Sequence, residues 1–256
     1  MTTLFDLDRV FLFTLLVARA TGIVVASPFL GDRIVPTRVK VLLVPVLALF
    51  MITFAPTGTA RTESLAHFVG AVAAELSIGF ALGFVARLVL VAFEMAGHVI
   101  AIQIGFGLAQ VFDPVQGHAQ NLLSRWYWII GMTCFLGFGG HHHLLRALAG
   151  TLEWIPPGAG FLSPEIVDTM ARFSAQSLAT MMAIAAPVIG VLLLTSMGLG
   201  ILARTVPQMN VFIVGFPIKI AAGILGIVLS LPFVMEVARR EMNALALRLS
   251  FLLNQA

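Results

Sequence analysis

Three consecutive histidines, His141 to His143, are the first residues in the sequence to suggest chemistry, because imidazole nitrogens bind zinc and other transition metals. Adjacent positions of a helix point about 100° apart, so three neighbours along the chain cannot converge on one ion. Zinc sites on helices space two histidines four residues apart, as in HExxH, and that motif is absent here. The sequence therefore predicts no metal site and places these histidines at a helix end near the membrane interface.

Motifs for nucleophilic or phosphoryl chemistry are also missing. The sequence contains no GxSxG elbow, no Walker motif and no evident pair of carboxylates for acid–base catalysis. The single cysteine, Cys134, lies inside an apolar run, where it is expected to pack as a small hydrophobic residue. We therefore expect a protein that is not an enzyme and that carries no cofactor or metal.

Five charged side chains lie within or at the ends of long apolar runs, where an unpaired charge is costly and must face protein or water. They are Arg19, Glu75, Arg87, Glu94 and Lys219. Arg87 and Glu94 lie close to one helical face but about 10 Å apart along the axis, too far for a direct pair. These charges could form an ion or proton relay, or pair between subunits and fix the register of helices in an assembly. The second interpretation is favoured, because relays carry more carboxylates than these runs do.

The elements that must position these residues are apolar enough to lie in a membrane. Of the 256 residues, 59% are hydrophobic and 11% are charged, against about 25% charged in a soluble domain. The net charge of +3 comes from scattered basic residues and does not indicate nucleic-acid binding, which needs a clustered basic face. We therefore predict an all-α fold, a polytopic membrane protein with long apolar helices in hairpins.

A membrane-spanning helix needs about 20 mostly apolar residues. The candidate runs are approximately 11–30, 41–54, 65–104, 126–149, 178–202 and 211–237. The third run has about twice the spanning length and is either one very long helix or a kinked pair. Ser163 before Pro164 fits an N-cap followed by proline at the first helical position, so a helix leading into the fifth run is expected to start there. Alternating charged and apolar residues predict an amphipathic C-terminal tail over 236–256.

The stretch Glu94–Arg125, which contains the end of the third run and the connection to the fourth, departs most from this apolar pattern. Gly105 and Gly107 permit positive φ angles and close approach of the backbone, and the Asp113-Pro114 step blocks continuation of a helix. A break between two membrane-length helices is where irregular backbone lines a passage instead of facing lipid. We predict a constriction or gating loop here and call residues 105–124 the candidate plug.

Two glycines of the third run, Gly79 and Gly83, form a GxxxG motif, which lets two helices approach closely. The motif is common by chance in glycine-rich membrane helices, so it predicts tight packing without identifying the partner. No soluble domain, low-complexity segment or clear repeat is visible. Residues 1–256 are therefore expected to form a single membrane-embedded domain.

Three groups of residues together give the sequence a family resemblance. The groups are Gln103–Ala109 (QIGFGLA) with Asp113-Pro114, then Gly140-His141 followed by Pro156, and finally Arg204–Lys219 (RTVPQMNVFIVGFPIK). With the length and the six runs, they resemble the FliR family of type III secretion export-gate proteins over essentially the whole chain. One departure is Gly139, where the family commonly has Asn. The resemblance implies assembly or structural roles for Gly140, His141, Pro207, Gln208, Asn210, Phe212, Gly215, Pro217 and Lys219.

The resemblance implies a component of the flagellar protein export gate, in the bacterial inner membrane at the flagellar basal body, through which unfolded flagellar subunits pass. One copy would assemble with several FliP-like and FliQ-like subunits in a right-handed helical stack. FlhB-like and FlhA-like export proteins are the further partners that the resemblance implies. A virulence-injectisome component is the alternative within the family. A small secondary transporter with a site near Glu75, Arg87 and Glu94 is the alternative from another class, although it should show inverted repeats.

The resemblance also implies that the loop matching 105–117 plugs the export channel, in agreement with the interpretation drawn from the residues. Such a loop would form an apolar constriction that excludes water and ions until a substrate displaces it, with Gly105 and Gly107 giving it flexibility. The residues expected to form it are Gly105, Phe106, Gly107, Leu108, Val111, Phe112, Asp113 and Pro114. A scaffold without a conduit would instead tolerate replacement of this loop without ion leak.

Overall fold

The computed structural model describes residues 7–32, 35–55, 64–106, 122–159, 164–206, 208 and 210–254. The regular secondary structure of these residues is helical, which confirms the all-α class. The helices are α1 (Leu7–Ala26), α2 (Thr37–Ile52), α3 (Leu65–Ile104), α4 (Leu122–Gly137), α5 (Gly140–Trp154), α6 (Pro164–Thr205) and α7 (Val211–Asn254). Four of the described helices, α1, α3, α6 and α7, are long and apolar enough to cross a membrane.

The fourth predicted run is two helices, so the prediction of one span over 126–149 is wrong. The backbone at Gly139 has φ 77°, which a right-handed helix cannot accommodate. The next residue, Gly140, is tightly enclosed, because a Cβ atom there would lie 2.5 Å from Phe135 Cδ2. The second run also falls short of a span, since α2 begins only after Pro36 and has 16 residues.

The left-handed conformation at residue 139 predicts which side chains the break accepts. Asn adopts positive φ more readily than other residues with a Cβ atom, and the nearest neighbour of a Cβ at this position, His142 Nδ1, is 3.5 Å away. Gly139→Asn is therefore expected to leave the thermal unfolding midpoint nearly unchanged, whereas Gly139→Val should cost about 1–2 kcal/mol. Unfolding of both purified variants in one detergent checks this, and equal losses would contradict it.

The third run forms one continuous helix, α3, of 40 residues. At a rise of 1.5 Å per residue it is about 60 Å long, roughly twice the thickness of the hydrocarbon core. Within the chain, 67% of its apolar span is buried, compared with 28% for α6 and 22% for α7. α3 is therefore the most enclosed of these three helices, and a smaller share of α6 and α7 is buried within the chain.

The last two helices are longer than the runs that predicted them. α6 begins at Pro164, as the proline rule predicted, and has 42 residues; Ser163 lies outside the described residues. α7 has 44 residues and continues through Glu236 without a break. The part of the predicted tail that is described, up to Asn254, is the end of α7. It is amphipathic, since Leu245, Leu249 and Leu252 are buried and Arg239 and Arg240 are exposed.

The chain forms two compact units. Unit 1 comprises Met1–Val89, Phe135–Ala175 and Met242–Ala256, and unit 2 comprises Leu90–Cys134 and Gln176–Glu241. The helices α3, α6 and α7 each contribute residues to both units. The single membrane-embedded domain expected from the sequence stays a prediction.

Candidate functional site

The end of α3 coincides with the start of the candidate plug, in unit 2. Phe106 N–H donates to Ala101 O at 3.0 Å and Gly105 N–H donates to Ile102 O at 3.1 Å, the pair of hydrogen bonds that defines a Schellman motif. Gly105 has φ 108°, which is why a glycine follows Ile104, the last helical residue. The geometry thus gives Gly105 the role of terminating α3, and the flexibility expected of it stays a prediction.

The first turns of α7 pack against this helix end. A Cβ atom at Gly105 would lie 2.8 Å from Cε1 of Phe216, and one at Gly223 would lie 2.7 Å from Cγ1 of Ile104. We call Ile104, Gly105, Phe216 and Gly223 the α3–α7 junction. Two of the three groups of family-like residues, QIGFGLA and the group ending in GFPIK, therefore meet there. Phe216 was given no role of its own from the sequence, and its place beside Gly215 in the motif was the one signal that could have pointed to it.

The turn before α7 has a capping residue of its own. Asn210 Oδ1 accepts a hydrogen bond from Ile213 N–H at 3.4 Å, so Asn210 is placed as the N-cap of α7. Gln208 is exposed, Gly215 is buried, and Pro217 and Lys219 are respectively exposed and partly buried on α7. Phe212 also lies in this helix.

Several residues predicted for the plug and for the motif before α7 lie outside the described residues. They are Gly107, Leu108, Val111, Phe112, Asp113, Pro114 and Pro207. At its other end the candidate plug meets α4, which begins at Leu122, so residues 122–124 are helical. The roles of all these residues stay predictions.

The histidine cluster lies in the first turn of α5, in unit 1. The ring centroids of His141 and His142 lie 4.0 Å apart with the ring planes tilted by 39°, and Gly140 is buried against Phe135. Among the described residues, no group of three His, Cys, Asp or Glu side chains is arranged to hold a metal ion.

Two of the intramembrane charges, Arg19 of α1 and Glu75 of α3, form an ion pair in unit 1 that is wholly buried, each side chain being 0% exposed. Arg19 Nε donates to Glu75 Oε2 at 2.5 Å and a terminal nitrogen donates to Oε1 at 3.1 Å, a bidentate arrangement. Pairing between subunits was the favoured expectation, and for these two residues it is wrong, because each finds its partner within the chain.

Three further groups complete the network around this pair. Arg19 donates to Thr151 Oγ1 at 2.8 Å and to Ile155 O at 3.1 Å, and Glu75 Oε1 accepts from Gly158 N–H at 2.8 Å. The pair therefore ties α1 and α3 to α5 and to the turn after it. These partners could not be recognised from the sequence, because two of them contribute only backbone atoms and one is a threonine among many polar residues.

Glycines bring α1 and α3 close enough for the pair to form. A Cβ atom at Gly22 would lie 2.7 Å from Phe80 N, and one at Gly79 would lie 2.8 Å from Ile23 N. A Cβ atom at Gly83 would lie 2.7 Å from Cβ of Ala26. The GxxxG motif is therefore used inside the chain, where α3 packs against α1.

Two other charges of the apolar runs lie on α3. Arg87 is exposed on α3, and Glu94 is partly buried further along the same helix. Glu75 itself is unsuited to the proposed transport site, because its side chain is 0% exposed and both of its oxygens accept hydrogen bonds.

Comparisons with known proteins all point to one family of bacterial export proteins. The profile of a family described as "Bacterial export proteins, family 1" matches residues 10–245. The flagellar biosynthetic protein FliR of Bacillus subtilis (strain 168) is 31% identical over 247 residues, which cover 93% of this chain and 92% of that protein. FliR of Aquifex aeolicus (strain VF5) is 30% identical over 88% of this chain and 87% of its own length. FliR of Escherichia coli (strain K12) is 30% identical over 80% of this chain and 78% of its own length.

Proposed function

The chain belongs to the bacterial export proteins of family 1, with the flagellar biosynthetic proteins FliR, and from this we propose that it forms part of the channel of a flagellar protein export gate. It is a membrane protein of the flagellar export family and is not an enzyme. In the proposal, unfolded flagellar subunits pass through the channel, and the candidate plug, residues 105–124, closes it when no substrate is present.

The α3–α7 junction is the observation that carries the proposal. The most enclosed long helix stops at Ile104, and a Schellman motif at Gly105 fixes the direction in which the chain leaves it. The residue that follows the helix is covered by Phe216 of α7. A loop that must close a pore needs such a fixed starting point, because a root free to fray would let the constriction open without substrate.

The packing of α6 and α7 in unit 2 supports a position in the bilayer. The 16 residues between Lys219 and Glu236 carry no charge and, as a helix, span roughly 25 Å, close to the hydrocarbon thickness. The two helices pair within this length, since a Cβ atom at Gly226 would lie 3.6 Å from Cγ1 of Val188. Beyond it, Thr180 Oγ1 donates to Glu241 Oε1 at 2.8 Å. The proposal places them in the bacterial inner membrane, at the flagellar basal body.

Outward apolar side chains on these helices indicate what surrounds them. Each of the following is at least half exposed: Leu193, Leu194, Met197, Leu225, Val228 and Leu229. Side chains of this kind need an apolar environment, which either lipid or neighbouring apolar helices would supply. The proposal assigns them to lipid and to FliP-like and FliQ-like subunits, with FlhB-like and FlhA-like proteins as further partners of the gate. The flagellar system is preferred to the injectisome because the three relatives named above are flagellar proteins.

Replacement of residues 107–121 by a short Gly/Ser linker tests the channel proposal. In cells that express the variant with its partner subunits, we expect a higher permeability to ions, measured as loss of membrane potential, because the apolar constriction would be gone. The matched control is the same replacement of residues 56–63, between α2 and α3, which should leave the potential unchanged. A variant that assembles normally and stays ion-tight would favour the scaffold without a conduit.

A further inference from the structure

We infer that Phe216 is a positioning residue for the export gate. Phe216 and Gly223 are the α7 side of the α3–α7 junction and form a fixed seat for the end of α3, and this seat keeps the gate closed. The inference rests on the function proposed above and concerns a residue to which sequence analysis gave no role. All the residues of the seat lie in unit 2.

The seat is built by interlocking a large side chain on each helix with a glycine on the other. Ile104 of α3 lies against Gly223, and Phe216 of α7 lies against Gly105, so each glycine leaves the space that its partner fills. Ile104 is 1% exposed, so its side chain is enclosed on all sides. An interlocked contact of this kind resists sliding, because either helix would have to lift its side chain out before it could move.

The ring of Phe216 also lies beside the weakest part of α3. The last turn of a helix lacks further intrahelical partners for its carbonyl groups, and here the Schellman bonds to Ala101 and Ile102 supply them. Those bonds depend on Gly105 holding φ 108°. Phe216 packs against that glycine and so restricts its backbone. Removal of the ring would let this turn fray, so that helix α3 would end earlier in the chain.

A fixed seat implies that the gate opens without any movement of α3 relative to α7. If α3 remains on α7 while substrate passes, only residues after Phe106 need to move. A covalent link across the seat should then be compatible with export, whereas a seat that opens during export would be blocked by the same link.

Substitution of Phe216 tests the positioning role by a readout that a purely structural role would not change. In native membrane vesicles that contain the assembled complex, Phe216→Ala is expected to raise the ion permeability about tenfold, equivalent to about 1.4 kcal/mol in the closed-to-open equilibrium. Phe216→Met, which restores most of the apolar volume, should return the permeability towards that of the wild type. The matched control is Phe233→Ala on the same helix, whose ring is 46% exposed and which should have no effect.

A disulfide across the seat tests whether it stays closed. Ile104 Cγ1 lies 2.7 Å from the Cβ position of residue 223, so cysteines at 104 and 223 are placed to join. The double variant Ile104→Cys/Gly223→Cys is made in a Cys134→Ala background, because Cys134 is the native thiol. We expect equal export and equal ion-tightness of the oxidised and reduced forms. Export that stops on oxidation and resumes on reduction would overturn the inference.

The two proposals fail in different ways. If Phe216→Ala stays ion-tight while replacement of 107–121 causes a leak, the seat is wrong and the channel function stands. If neither change causes a leak, the channel function itself is wrong. A variant that no longer assembles is identified by its loss from the purified complex, and Phe216→Met then provides the permeability measurement.

Discussion

Arg19→Met is expected to destabilise the protein by about 3–5 kcal/mol, because it leaves the carboxylate of Glu75 buried without its counter-ion. Thr151 and Ile155 would lose a donor as well. Burial of the two charges is tolerated only because each charged group is hydrogen-bonded. Removal of one partner leaves the other charge buried and without its counter-ion. The fraction of folded protein during SDS titration in mixed micelles measures the loss.

Two further variants separate the charge from the volume of the side chain. Arg19→Met/Glu75→Met removes both charges and keeps apolar volume, so it should recover much of the loss, as buried pairs replaced by apolar residues often do. Arg172→Met removes one partner of an ion pair with Asp168 whose side chains are 75% and 60% exposed, and should change little. Similar losses for Arg19→Met and Arg172→Met would contradict the buried-pair account.

The buried pair shows where sequence reasoning stops. The position of Arg19 and Glu75 within apolar runs was enough to predict that each needs a partner, because the cost of a charge in hydrocarbon depends on residue type. It was not enough to identify the partner. Arg19 and Glu75 are 56 residues apart, and Thr151 is 132 residues from Arg19. Only the crossing of α1 and α3, with the exit of α5, brings these groups together.

The helices were predicted to different degrees for a related reason. Length and apolar content were sufficient for α1, α3, α6 and α7, since a long uninterrupted run has few alternatives to a helix. The run over 126–149 failed, because average hydropathy cannot detect one residue that must adopt φ 77°. The Gly139-Gly140 pair was visible in the sequence and was the signal that could have predicted the break.

The candidate site was predicted in part. The start of the constriction at Gly105 follows from its glycines, and the helix does end there. The contact with Phe216 joins residues more than 100 positions apart in the chain, and no local pattern indicates it. The contact becomes visible only when α7 is packed against the end of α3, whereas the glycine could be recognised from residue type alone.

Gly79→Ala is expected to destabilise the protein by about 3 kcal/mol, although alanine is the better helix former. The new Cβ would overlap the carbonyl oxygen of Arg19 and lie 2.8 Å from Ile23 N, and these are backbone atoms that cannot rotate away. α1 and α3 must then separate, which costs about 1–3 kcal/mol for overpacking and also stretches the buried pair one turn away. The same SDS titration measures this loss.

Gly70→Ala, on the same helix, is the matched control. A Cβ at residue 70 meets no atom within 4 Å, so this variant gains helix propensity without a clash and should be stabilised by up to about 1 kcal/mol. The two alanine substitutions are thus expected to have opposite signs. Equal signs would mean that α1 and α3 do not pack at Gly79 as closely as the structure has them.

The cost of Gly79→Ala should also depend on the charges beside it. Gly79 lies four residues after Glu75 and touches the backbone of Arg19, so separation of the two helices and lengthening of the ion pair are one event. In the Arg19→Met/Glu75→Met background only the steric part of the cost remains. We therefore expect Gly79→Ala to be less destabilising there than in the wild type, by about 1 kcal/mol or more, a non-additivity that a double-mutant cycle resolves. Strict additivity would show that the glycine crossing and the ion pair stabilise α1 against α3 independently, and would contradict their coupling.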